Sequence, residues 1–108
     1  MARFASVADR DAVETEMSYA QRQVPRTVYQ ALTQTRDRHP QRPAISFQLF
    51  SDPKAPARTL TWSELHERVT ETANLFRSLG VGPGDVVAYL LPNCVEAPVV
   101  LLAGATAG

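Results

Sequence analysis

Residues Thr59 to Leu91 read TLTWSELHERVTETANLFRSLGVGPGDVVAYLL, and this stretch decides the fold. Thr61 and Glu64 have capping-box spacing, in which hydroxyl and carboxylate each satisfy a free backbone N–H at a helix start. Trp62, Leu65, Val69, Thr72, Ala73, Phe76 and Leu79 then recur every three or four residues, and Leu75 widens the apolar face. Gly80 stands where a left-handed residue closes a helix, followed by Val81 for the hydrophobic contact of that cap. Gly82, Pro83, Gly84 and Asp85 spell a turn. Val86 to Leu91, VVAYLL, is a near-continuous apolar run suited to a strand covered on both faces. The stretch therefore predicts strand, helix and strand in a right-handed crossover.

Downstream, Asn93 is a good N-cap with Glu96 three residues later. Pro98 offers an alternative start near Ala97, with the proline at the first helical position. Either helix runs to Ala107 and stops at Gly108. Val99, Val100, Leu101, Leu102 and Ala103 are apolar all round, which demands burial on several sides. Little of the chain remains to cover them, so the sequence reads as a truncated part of something larger.

Upstream, Ala44 to Phe50 alternates, with Ile45, Phe47 and Leu49 on one face. The loop Ser51 to Arg58 follows, and Thr59 to Thr61 returns as the second strand of a hairpin. Before that, Thr27 and Gln30 have capping-box spacing, and Val28, Ala31, Leu32 and Thr35 form a narrow stripe. Pro40 ends that helix. His39 lies in its last turn, placed to meet free carbonyls and the negative dipole end. Residues 1–26 read as a surface arm, with Asp9 capping a weak helix that carries Val13 and Met17. The expected fold class is α/β: a partial subdomain with a β-hairpin followed by a β-α-β unit and a terminal apolar helix. Residues 27–108 form its body.

The totals exclude several functions. The chain has 108 residues, with 11 basic and 11 acidic side chains. All the basic residues except Lys54 are scattered arginines, which gives no footprint for nucleic acid or an anionic membrane. One cysteine, Cys94, permits no internal disulfide and points to a reducing compartment. No signal peptide opens the chain, and Pro92, Asn93, Glu96 and Pro98 interrupt the one segment apolar enough to suggest a span. A cytoplasmic location is expected.

No residue pattern carries chemistry. GVGPG follows a helix and precedes a strand, the reverse of a phosphate cradle, and Pro83 removes a donor. Glu64, Arg68 and Glu71 share one flank of the central helix, where they read as a solvated ion triad rather than paired catalytic carboxylates. His66 lies on the opposite edge and reads as solvated too. His39, His66 and Cys94 have no metal-ligand spacing, and no base stands near Cys94 in sequence. The expected catalytic, cofactor-binding and metal-binding residues in this chain are none.

The ordered series nevertheless resembles a known family. T-x-T-W-x-E-L, then R-V-x-x-x-A-N-x-F-R-S-L-G-V, then G-P-G-D-V-V-A-Y-L-L-P-N, then Glu96 and an apolar helix ending A-G, are similar to the N-terminal part of the AMP-forming acyl-CoA synthetases. The matching pieces are Leu60 to Leu65, Val69 to Val81, Gly82 to Asn93 and Glu96 to Gly108. RTVYQAL (Arg26 to Leu32) and RHPQRPAISF (Arg38 to Phe47) resemble the family's entry segment. Pro98 departs from the family habit in its helix. The resemblance implies an enzyme that activates a carboxylic acid, here guessed to be fatty, with ATP and Mg²⁺, then transfers the acyl group to coenzyme A. The family's phosphate loop, nucleotide motifs and C-terminal lysine have no counterpart here. The implied partner is the remainder of the parent domain, and the piece alone is expected to be inactive and prone to self-association. The alternative is a free-standing α/β interaction module without catalytic activity.

Overall fold

The computed structural model describes residues 5–108. Its elements, in order, are α1 (Val7–Glu16), α2 (Val28–Arg38), β1 (Pro43–Gln48), β2 (Ala57–Thr61), α3 (Trp62–Ser78) and α4 (Glu96–Ala107). The combination of helices with a β-hairpin is the expected mixed α/β class.

The central helix forms as its sequence dictates. Thr61 Oγ1 accepts from the Glu64 N–H at 3.2 Å, and the Glu64 carboxylate accepts from the Thr61 N–H at 2.8 Å. At the other end Gly80 has φ +87°. Its N–H donates to the Arg77 carbonyl, and the Val81 N–H donates to that of Phe76, both at 3.0 Å. These paired bonds are a Schellman closure. The following turn also suits its residues: Pro83 presets φ, Gly84 takes φ +90°, and Asp85 N–H closes onto Gly82 O at 3.1 Å.

The hairpin pairs β1 with β2 antiparallel, Ile45 opposite Leu60 and Gln48 opposite Ala57. An irregularity between Pro43 and Ile45 leaves Ala44 as the extra residue. β2 begins two residues earlier than the sequence suggests. Gln48 ties the loop by donating to the Asp52 and Ala55 carbonyls. Leu49 and Phe50 are exposed.

The core lies where α4 docks on α3. Leu65, Val69 and Ala73 of α3 meet Val95, Val99, Ala103 and Ala107, with Leu60 and Leu32 completing the cluster. Val99, Ala103 and Ala107 recur every four residues, so one stripe of α4 is buried. Leu101 on the other side is 61% exposed. The exposed apolar surface of α4 is thus Leu101 and its neighbours, while Val99 and Ala103 are covered.

Four expectations need correction. Residues 86–91 join no strand and no hydrogen-bonded turn, so the second half of the β-α-β unit is not formed. A strand needs a neighbouring edge for its N–H and C=O groups, and the two-stranded sheet consists of β1 and β2 alone. α4 starts between the two predicted positions: Val95 is its N-cap, without a side-chain cap bond, and Asn93 lies outside. Pro98 is then the third helical residue, whose N–H has no intrahelical partner in any helix, so the ring is tolerated. In α1, Ser6 is the N-cap and Asp9 its reciprocal partner, not the cap itself. In α2, Thr27 accepts from the Gln30 N–H, yet the Gln30 amide oxygen accepts from Arg26 N–H instead of Thr27.

The arm expected over residues 1–26 begins outside the described residues. Its described part holds α1, which buries no residue and touches no other helix or strand. Arg22 folds back to donate to the Val13 and Met17 carbonyls, closing the open end of that helix.

Candidate functional site

The most organised polar cluster lies between α2 and α3, around His66. Only 8% of its surface is exposed, which overturns the expectation of a solvated histidine. His66 Nδ1 is 3.2 Å from Arg36 Nη1, and its Nε2 is 3.0 Å from Thr33 Oγ1. The Tyr29 ring lies against the imidazole, with centroids 5.0 Å apart and planes at 34°. Thr33 Oγ1 also donates to the Tyr29 carbonyl at 2.9 Å, and Thr70 Oγ1 donates to the His66 carbonyl at 2.8 Å. The Tyr29 hydroxyl meets Thr70 Oγ1 at 2.9 Å.

Donor counting fixes the direction of each bond. A guanidinium only donates, so His66 Nδ1 accepts. Nε2 then carries the proton and donates to Thr33, whose own hydrogen is committed to the Tyr29 carbonyl. Thr70 has likewise committed its hydrogen, so the Tyr29 hydroxyl donates to it. The imidazole is neutral, and its pKa is lowered from 6.5 by burial first and the Arg36 charge second, with Asp37 opposing. Among the described residues no buried side-chain nitrogen or oxygen lacks a partner. With both ring nitrogens engaged, this histidine has neither a free lone pair for a metal nor a free proton for a substrate.

The sequence missed this cluster because the contact face of α2 is half polar. Tyr29, Leu32, Thr33 and Arg36 follow i, i+3, i+4 and i+7, whereas the apolar residues alone favour a stripe through Val28, which is 42% exposed. Counting Tyr and Thr with the apolar set would have found it.

The other singled-out residues do not converge. Glu64 is a helix cap, and Arg68 and Glu71 are exposed. The expected triad does not form: none of its pairs falls within the 4.0 Å of an ion pair among the described residues. His39 closes α2 through its backbone, whose N–H donates to the Thr35 carbonyl at 2.9 Å. Cys94 is half-buried beside Glu96, and neither histidine is among its hydrogen-bond partners. The exposed Glu96 carboxylate accepts from Arg58 at 2.7 Å, and that bond, with smaller help from its own N–H and from Cys94, holds its pKa below the usual value.

The glycine turn does not fit a phosphate. Gly82 N–H donates to Asp85 Oδ2 at 2.8 Å, so a carboxylate already occupies the place an anion would need. Among the described residues no group of three His, Cys, Asp or Glu stands close enough to hold a metal ion. Among the described residues no helix is long and apolar enough to cross a membrane.

Three hollows stand out among the described residues. The largest of the three, about 710 Å³, lies between the arm and α2 and is lined by Tyr19, Gln23, Val24, Arg26, Gln30 and Gln34. It holds amides and one cation but no nucleophile or acid–base pair. Two grooves of about 350 Å³ each flank Tyr89 and Leu101. One runs between Val86 and Val100, the other between Phe47 and Pro98, and both are mainly apolar. Val86, which lines one of them, is 90% exposed, and Leu90, next to Tyr89 in the chain, is 100% exposed, so this part of the molecule presents apolar side chains to solvent.

A family model described as "AMP-binding enzyme" matches residues 32–108. Acetyl-coenzyme A synthetase of Sodalis glossinidius is 42% identical over 57 residues, 53% of this chain and 9% of the relative. That of Thiobacillus denitrificans is 43% identical over 60 residues, 56% of this chain and 9% of the relative. That of Beijerinckia indica is 42% identical over 65 residues, 60% of this chain and 10% of the relative. The chain therefore spans about a tenth of the length of these relatives. No solved structure matches it.

Proposed function

Because the chain belongs to the AMP-binding enzyme family, we propose that it is a structural part of an acid–thiol ligase. The parent activates a carboxylic acid with ATP and Mg²⁺ to an acyl-adenylate and passes the acyl group to coenzyme A. Residues 27–108 are the N-terminal part of its large AMP-binding domain, residues 1–26 an arm, and the parent is cytoplasmic. No catalytic, nucleotide-binding or metal-binding residue is assigned within these 108 residues. The remainder of the large domain is the partner of the apolar face around Tyr89, Leu90 and Leu101.

The observation that carries this reading is the family match, and the apolar face supports it. A free-standing interaction module has no reason to leave a VVAYLL segment without a ladder and a Leu90 fully exposed. For the acid, the resemblance suggested a fatty acid. The relatives' names favour acetate as the first substrate to try, and their identity over half the chain supports that choice.

ATP–pyrophosphate exchange tests the reading. The 108-residue chain should give none with acetate or with a fatty acid, while a chain extended to the relatives' length should exchange with one of them. Acid-dependent exchange by the short chain would overturn the assignment of no catalytic residue. Dye binding and light scattering test the alternative: a covered, monodisperse short chain would favour the interaction module.

A further inference from the structure

We infer that His66 is a pH-gated latch between α2 and α3: the neutral imidazole ties the helices together, and protonation releases α2. The inference is independent of the proposed enzyme activity, since it concerns only how two helices of this chain are joined.

The argument starts from what holds α2 in place. One residue of α2, Leu32, is buried. Its contact with α3 carries the polar chain Arg36–His66–Thr33 and the bond from Tyr29 to Thr70, and α2 also touches α4. This differs from the α3–α4 junction, whose centre is apolar and which carries one long polar contact at its end, Arg77 donating to the Thr106 carbonyl at 3.4 Å. The α2 junction therefore depends on hydrogen bonds whose net worth is modest, about 0.5–1.5 kcal/mol each.

His66 is the one group there whose protonation changes the donor count. A proton added at Nδ1 turns the acceptor facing Arg36 into a donor. Two donors, both cationic, then face each other at 3.2 Å within a site that is 8% exposed at the histidine. The lost bond and the repulsion act in the same direction, and the Tyr29 ring lies against the imidazole with centroids 5.0 Å apart.

The surrounding charges do not cancel this. From α2, Arg36 and Asp37 face the site, with the Tyr29 phenol. Asp37 opposes but is spent on Arg36, its carboxylate 2.7 Å from Nη2. From α3 itself, Glu67 and Arg68 are exposed. Arg58 of β2 and Glu96 of α4 pair with each other, and β1 carries no titratable side chain. Arg36 and Asp37 are the charges that move the histidine, and Arg36 prevails.

The sign follows. The pKa of His66 is lowered in the closed state, so the open state binds more protons as pH falls through 6.5, its ordinary value. The latch is fully present above that pH and is lost below it, towards the folded-state pKa. One proton allows opening to rise by up to about tenfold per pH unit across that window.

Two readouts on the 108-residue chain test the latch. Imidazole ¹⁵N shifts should show Nε2–H and bare Nδ1 at pH 7.5. Amide protection factors, corrected for intrinsic exchange, should fall for α2 relative to α3 between pH 7 and 5, following the His66 titration. In His66→Gln, which keeps an acceptor for Arg36 and a donor for Thr33, the pH step should vanish. In Arg36→Met, which removes both the lowering charge and the donor to Nδ1, the titration should move up towards 6.5 and the step should shrink. A proton on Nδ1 at neutral pH would overturn the latch. So would α2 protection that stays constant while His66 titrates, as when only Arg36 swings away. If His66→Gln does not fold, the wild-type tautomer and protection data still decide.

Discussion

Segment 86–91 and helix α4 are both rich in apolar residues, yet they have opposite fates. α4 satisfies its own backbone and lays Val99, Ala103 and Ala107 on α3. Residues 86–91 join no ladder, and Val86 and Leu90 face solvent. The contrast is one of backbone bookkeeping rather than side-chain greasiness. A helix closes its hydrogen bonds within twelve residues and needs only one apolar stripe to dock. A strand cannot satisfy its N–H and C=O groups without a second chain segment at its edge. The sheet formed by β1 and β2 does not supply that edge: neither strand pairs with residues 86–91, although Ile45 and Phe47 of β1 line a groove shared with Tyr89.

The largest effect should come from breaking the docked side. Leu65 is 2% exposed and lies in the α3–α4 cluster. Leu65→Ala should cost about 2–5 kcal/mol, because the lost methyl groups leave a cavity that helices can only partly close. Urea denaturation reads this as a fall in midpoint at constant slope. A loss below about 1 kcal/mol would mean that α4 is not firmly seated on α3 in solution, and the contrast with residues 86–91 would collapse.

A smaller effect should come from the joint between the two regions. Gly80 ends α3 at φ +87°, and nothing lies within 4 Å of where a Cβ would stand. Gly80→Ala therefore has no steric clash, only backbone strain of about 1–2 kcal/mol. Gly80→Asn should recover part of that, since asparagine tolerates the left-handed region better. A larger loss for Asn than for Ala in thermal melts would show that side-chain volume, not φ, limits the site.

Legibility in the sequence followed the same physics. Signals that are satisfied locally were readable: the Thr61–Glu64 capping box, the Gly80 closure, the Pro40 stop and the Gly82–Asp85 turn all depend on residues within a few positions. The hairpin was readable from alternation, although β2 starts at Ala57. Signals that need a distant partner were not. VVAYLL reads as a strand because its composition is right, but no residue in it says where its edge lies. His66 read as solvated because the partners that bury it, Tyr29, Thr33 and Arg36, are 30 or more positions away on a face that mixes aromatic, hydroxyl and cation. The absence of a recognisable catalytic pattern was likewise a local reading, and the chemistry proposed for the parent rests on residues outside this chain.

The smallest stability effect is the most informative about the undocked side. Leu90 is fully exposed, so Leu90→Ser should change the unfolding free energy of the 108-residue chain by no more than about 0.5 kcal/mol. Dye binding and light scattering should nevertheless fall, because a large apolar side chain leaves the face around Tyr89 and Leu101. In a chain extended to the relatives' length, the proposed parent domain covers that face. There the same substitution should cost about 1.5–3 kcal/mol, the worth of a buried leucine side chain. The two chains thus give opposite readouts for one substitution: reduced self-association without stability loss in the short chain, stability loss without a change in self-association in the long one. A Leu90→Ser loss in the short chain as large as that of Leu65→Ala would mean that residues 86–91 are already docked. Equal, negligible losses in both chains would mean that the rest of the parent does not sit on this face, and would send the search for its partner elsewhere.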